Sequence, residues 1–144
     1  MIRAVFDTNV LVSALLSPGS PPAKLLEIAL QGKIRLILSP LILAELKRVF
    51  SSPKLHNILR KQKIMPGEVA EALANIIKAA VVTPGELSVE AVTEDPADKI
   101  IVAGALEGQA DFIASGDHHL MALKTVQGIE IVTPGAFWQA FSES

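Results

Sequence analysis

Five carboxylates in this chain stand where chemistry could be done: Asp7, Glu45, Asp95, Asp98 and Asp117. Asp7 directly follows Ile2 to Phe6, a short apolar run that reads as a buried strand. Asp117 lies two residues beyond a second such run, Asp111 to Ser115. Glu45 sits within Leu41-Ile42-Leu43-Ala44-Glu45-Leu46, and at helical spacing it shares a face with Leu41, Ile42 and Val49. Asp95 and Asp98 flank a helix start, with Asp95 as its cap and Asp98 in its first turn. Converging carboxylates repel one another unless a divalent ion compensates them. A hard, all-oxygen donor set suits Mg²⁺ or Mn²⁺. One or two such ions can activate water and stabilise the leaving oxygen of a phosphoryl displacement. Each acid also has an ordinary explanation. The four aspartates suit helix caps or first turns, where the helix dipole favours them. Glu45 fits the margin of an apolar stripe, paired with Arg48 three residues on.

These residues need a scaffold, and the composition bounds it. The chain has 144 residues, a formal charge of −2, half its residues apolar, and no cysteine. That length makes one domain, 1–144, able to bury roughly two-thirds of its unfolded surface without disulfides or structural zinc. Zero cysteines removes thiolate metal sites, iron–sulfur clusters and thiol nucleophiles together. High apolar content with low net charge excludes a disordered chain. The longest apolar run, Leu36 to Ala44, falls far short of the ~20 residues of a membrane span, and Asp7 interrupts any leader-like segment. The expected compartment is the cytoplasm. Six of the thirteen basic residues (Lys47, Arg48, Lys54, Arg60, Lys61 and Lys63) fall between positions 47 and 63, a window with no acid. That window reads as a solvated helical face or as an arm that contacts phosphates.

Strand signals appear at Ile2–Phe6, Ile34–Leu38, Ala80–Thr83, Asp111–Ala114 and Gly128–Val132. Helical patterns are expected over Thr8–Leu16, Pro22–Gln31, Leu41–Phe50, Leu55–Gln62, Pro66–Ala79, Asp95–Glu107, His118–Lys124 and Pro134–Phe141. Leu87 to Glu94 is ambiguous. Short strands alternating with amphipathic helices predict an α/β fold whose mainly parallel sheet has helices on both faces. Ligands in such folds bind beyond the carboxyl ends of the strands, where Asp7 and Asp117 fall.

The ordered set Phe6-Asp7-Thr8-Asn9-Val10-Leu11-Val12-Ser13-Ala14, Leu43-Ala44-Glu45-Leu46, Asp95-Pro96-Ala97-Asp98-Lys99 and Ala110-Asp111-Phe112-Ile113-Ala114-Ser115-Gly116-Asp117 resembles the PIN-domain nucleases. The likeness is strongest to the small single-domain group of type II toxin–antitoxin systems. It implies a three-layer α/β/α fold, Mg²⁺ or Mn²⁺, and hydrolysis of RNA phosphodiesters. It also implies that Asp7, Glu45, Asp98 and Asp117 are the catalytic metal-site acids, with Asn9, Ser115 and Asp95 supporting them. Lys47 and Arg48 are candidates for RNA backbone contacts. A toxin of this group implies an antitoxin protein partner, and the apolar helices suggest a homodimer or higher homo-oligomer.

Two other readings compete. A haloacid-dehalogenase-type phosphatase also places an Asp after its first strand and uses Mg²⁺, but it wants a second Asp two residues on, where this chain has Asn9. A non-catalytic RNA- or nucleotide-binding module would use the acids only as caps. Asp117-His118-His119 also matches the tripeptide of a phosphoesterase family, which needs further Asp clusters and a longer chain.

Overall fold

The computed structural model describes residues 1–87 and 95–143. The described residues form a sheet of six strands flanked by eight helices, a three-layer α/β/α arrangement. In chain order the elements are β1 (Arg3–Phe6), α1 (Thr8–Leu16), α2 (Pro21–Leu30), β2 (Arg35–Leu38), α3 (Pro40–Phe50), α4 (Pro53–Lys61), α5 (Pro66–Ala79) and β3 (Val81–Val82). After these come α6 (Pro96–Glu107), β4 (Phe112–Ala114), α7 (His118–Leu123), β5 (Thr125–Val126), β6 (Ile129–Val132) and α8 (Pro134–Ser142).

Local chemistry accounts for most boundaries. Five helices begin with a side-chain cap and a proline in the first turn: Ser20 before α2, Ser39 before α3, Ser52 before α4, Asp95 before α6 and Thr133 before α8. The strands β1, β2 and β4 are short and almost wholly buried, as strands covered on both faces must be. Of the ambiguous stretch, positions 88–94 lie outside the described residues. Leu87, at its start, is exposed and belongs to no helix or strand.

The strand order is β3-β2-β1-β4-β6-β5, parallel except for the β5–β6 pair. From β1 the chain passes outward to β2 and β3 on one side, then returns to β4 on the other. The topological switch point therefore lies between the carboxyl ends of β1 and β4. Register sets what meets there. Phe6 pairs with Ala114, so the next residues, Asp7 and Ser115, leave the sheet side by side. Asp7 N–H continues the ladder to the Ala114 carbonyl at 2.9 Å.

Two sequence expectations change near the C terminus. The strand expected over 128–132 begins at Ile129, because Gly128 belongs to a hairpin turn at φ +84°. Gln127 precedes it at φ +47°, and two consecutive left-handed residues are what a tight hairpin with the right twist requires. The helix expected to reach Lys124 ends at Leu123, since Lys124 itself has φ +59°. Between them lies β5, which the sequence reading did not anticipate.

The aromatic side chains near the C terminus pack inward. Phe137 meets Phe6 edge-on at 6.5 Å and Phe112 at 5.1 Å, while Trp138 stacks on Phe141 at 6.4 Å with the Lys24 ammonium 5.6 Å from the Trp138 ring.

Helix α6 closes tightly on its neighbours through two glycines, Gly104 against Ile42 of α3 and its C-cap Gly108 against Ile37 of β2. A Cβ on Gly108 would stand 2.5 Å from Ile37 Cγ2 and 3.0 Å from its Cδ1. Ile37 is fully buried on β2 and has little room to yield. Gly108→Ala is expected to destabilise by about 1–3 kcal/mol through overpacking, seen as a lower urea midpoint with an unchanged slope.

Candidate metal centre

A cavity of about 200 Å³ opens at the switch point. Asp7, Glu45, Asp95, Asp98 and Asp117 all line it, with Thr8 and Asn9 beside them. Among the described residues no Lys, Arg or His lines it. Four separate elements deliver the acids: the end of β1, the middle of α3, the start of α6 and the turn after β4.

Carboxylate oxygens of Asp95, Asp98 and Asp117 lie within 4.8 Å of one another. Asp7 and Glu45 share the cavity but lie outside this tightest group. Asp95, which the sequence suggested as a supporting residue, therefore stands as close to the cluster centre as the main acids. It is also the cap of α6, accepting from Ala97 N–H at 2.9 Å, so capping and clustering coexist in one side chain.

Asp98 is the most constrained member. Its residue is only 2 % exposed, and its Oδ2 is sealed from water without a hydrogen-bond partner. Burial, then the Asp117 carboxylate beside it, then the charges of Asp95 and Asp7, push its acid up to about 6. A buried anion with an orphaned oxygen, ringed by like charges, is costly unless a cation joins it.

Asp7 is held by Ser115. The Ser115 hydroxyl is fully buried; it donates to Asp7 Oδ2 at 2.8 Å and accepts from Asp117 N–H at 3.0 Å. One hydroxyl thus joins the acid after β1 to the acid-bearing turn after β4. Burial raises the Asp7 acid above the usual carboxylate range, as does the Asp117 charge, while the Ser115 bond and the Thr8 and Asn9 N–H groups draw it back. Asp117 caps α7, accepting from His119 N–H at 2.8 Å. His118 and His119 are exposed in the first turn of α7, and neither lines the acid cavity.

Glu45 reaches the cavity from α3 but spends its charge elsewhere. It pairs with Arg48 in a fork, Nη2 to Oε1 at 2.6 Å and Nε to Oε2 at 2.9 Å. That hydrogen bond lowers its pKa against the opposing effect of burial. The apolar face read from the sequence is only partly buried, since Leu41 is 57 % exposed. The i,i+3 partner that the sequence offered is the one observed. Lys47, by contrast, faces away from the acids, into a larger groove.

Sequence reasoning did not single out Glu107, at the far end of α6. Its carboxylate accepts from the N–H groups of Gly85, Glu86 and Leu87 at 2.8, 2.7 and 3.1 Å. The neighbouring Thr83 hydroxyl and these three donors hold its acid down to about 2. No local pattern marks such an anchor, because its partners lie some twenty positions earlier.

Three or more oxygen donors around an orphaned buried carboxylate, with no cation in the wall, form a donor set that fits a hard divalent ion.

The geometry agrees with comparisons to known proteins. The model of the PIN domain family matches residues 3–119, which span all five acids. The chain is 31 % identical over 123 residues to an uncharacterized protein of Methanocaldococcus jannaschii, covering 85 % of this chain and 76 % of that one. The family match does not favour the phosphatase or the purely binding module. No helix among the described residues is long and apolar enough to cross a membrane. With the switch-point acids and a match over most of its length, the chain belongs to the PIN domain family, whose members are metal-dependent nucleases.

Proposed function

We propose that the protein is an endoribonuclease using Mg²⁺ or Mn²⁺, and that it serves as the toxin of a toxin–antitoxin pair. The observation that carries the nuclease reading is the Asp95–Asp98–Asp117 cluster, with its buried, unpartnered Asp98 oxygen. Asp98, Asp117 and Asp95 would hold the ion, with Asp7 and Glu45 completing the acidic wall. When bound, the ion supplies Lewis acidity toward a phosphodiester and its attacking water. The protein's own groups orient that chemistry. Ser115 fixes Asp7 against Asp117, and Asn9 offers an exposed amide at the cavity wall. Single-stranded or looped RNA suits so small a cavity better than a duplex. The toxin role rests on the sequence resemblance, and it implies an antitoxin that occludes this cavity. A homo-oligomer joined through helices is supported by the high apolar content alone.

The test is cleavage of a mixed RNA pool with Mn²⁺, Mg²⁺ or EDTA. Cuts that need the ion support the reading. Intact RNA together with no ion-induced rise in melting temperature would overturn it. The toxin role is tested separately, by growth arrest on induction and rescue by the product of a neighbouring gene.

The Glu45–Arg48 fork bears on loading of the ion. An exposed pair contributes little to stability, so Arg48→Gln is expected to leave the melting temperature almost unchanged. It removes the partner of Glu45 and frees that carboxylate for the cavity it lines. Mn²⁺ affinity is expected to rise, roughly a few-fold, in a calorimetric titration. Unchanged or weaker binding would show that Arg48 does not compete with the ion.

A further inference from the structure

A second cavity is larger than the acidic one. A groove of about 600 Å³ lies between α3, α4 and α5. Its floor is apolar, with Phe50 and Leu59 buried and Val69 and Leu73 half-buried. Lys47, Arg60 and Lys63 stand in its wall with His56, and among the described residues no Asp or Glu lines it. Within a chain of net charge −2 this is a local concentration of positive charge.

We propose that this groove binds a flanking nucleotide of single-stranded RNA, with the base on the apolar floor and the phosphates on Lys47, Arg60 and Lys63. The proposal rests on the ribonuclease reading and extends it to a second subsite. The geometry of α3 links the two. Successive helical residues turn by about 100°. Glu45 and Val49 line the acid cavity, whereas Lys47, Phe50 and Ser51 line the groove on the opposite side. Arg48 lies between them on the exposed crest, with 70 % of its side chain open. A strand leaving the acid cavity therefore crosses one helix diameter, about 10–12 Å, over the Arg48 crest before it reaches the groove. Charge selects the occupant. Three cations around an apolar floor match the alternation of phosphate and base in an unstacked strand. The volume falls within the range of sites that enclose small organic groups, about 300–1,000 Å³.

The test is binding of a short fluorescent single-stranded RNA of mixed sequence, measured by anisotropy in EDTA so that no cleavage occurs. Lys47→Gln with Lys63→Gln is expected to flatten the dependence of log affinity on log salt by about 1.4, at ~0.7 per lost phosphate contact. Ala70→Glu, on the exposed groove face of α5, places an acid in the groove while keeping a good helix former. It is expected to weaken binding at least about ten-fold with an unchanged melting temperature. Lys33→Gln, which lies outside the groove, serves as the control for charge alone. Unchanged affinity and salt slope in the groove variants, with ion-dependent cleavage intact, overturn the subsite and leave the nuclease standing. The same binding result with a protein partner lost from the variants also overturns it and assigns the groove to that partner. Absence of both RNA binding and cleavage in the unmodified protein removes the nuclease reading, and the subsite with it.

Discussion

Asp98→Asn is expected to lower ion-dependent RNA cleavage by at least about a hundredfold, and to raise the melting temperature of the ion-free protein at pH 8. The two effects have one cause. The substitution keeps the shape of a side chain that is only 2 % exposed and removes its charge. A charged ligand whose contribution is several kcal/mol is then lost from the ion site. The same change removes the repulsion that Asp98 suffers from Asp117, Asp95 and Asp7. The new amide can donate to a neighbouring carboxylate.

The sign with pH follows from the raised acid. Asp98 rises from 3.8 to about 6 in the folded chain, so the folded state holds this proton more tightly than the unfolded one. Its contribution to stability is complete below about pH 3.8 and is lost as pH rises through about 6. The slope within that window is at most about 1.4 kcal/mol per pH unit. Ion-free wild-type protein is therefore expected to lose stability between pH 4 and 7, and Asp98→Asn to flatten that loss. The raised Asp7 acid acts in the same direction and leaves some slope behind. Ion binding must displace the proton, so Mn²⁺ affinity is expected to strengthen as pH rises through 6. Thermal melts across pH, with and without Mn²⁺, check all three statements. A variant that melts lower than wild type at pH 8 without the ion would show that Asp98 is not a strained anion.

Ser115→Ala is the second large effect. Its hydroxyl serves two partners at once, and both are left short when it goes. A half-buried carboxylate oxygen and a half-buried backbone N–H left short of a partner cost about 1–3 kcal/mol, visible as a lower denaturant midpoint. Asp7 loses a bond that lowers its acid, so its pKa is expected to climb further. Cleavage is expected to fall about 10–100-fold, the usual consequence of removing a group that orients an ion ligand. Adding Asp7→Asn separates the parts. If Ser115 acts through Asp7, its removal costs much less cleavage in that background. Equal losses in both backgrounds would place its effect elsewhere, in the turn before α7.

The parts of the fold that could be read from the sequence are those set by local chemistry. Asp95 before Pro96 marks the start of α6, and short apolar runs mark β1, β2 and β4. Asp7 and Asp117 were placed at strand ends by the same runs, and the i,i+3 spacing already offered Arg48 to Glu45. What escaped depends on distance or on very short elements. A two-residue strand such as β5 carries no periodicity. Glu107 finds its donors 20 to 22 positions earlier. Asp95 reads from the sequence as a cap and a supporting residue, and its cap bond to Ala97 is present, but its closeness to Asp98 and Asp117 is visible only in the folded chain.

Among the described residues the sheet ends on both sides in strands of two residues, β3 and β5. Such short edges expose too few free N–H and C=O groups to template an added strand. A folded molecule is therefore a poor seed for sheet-to-sheet aggregation, despite a chain that is half apolar. Strand-to-strand aggregation then starts from unfolded chains, so its rate follows their population and not the native concentration alone. Any ligand that binds only the folded state, a divalent ion at the switch point among them, then also acts as a preservative.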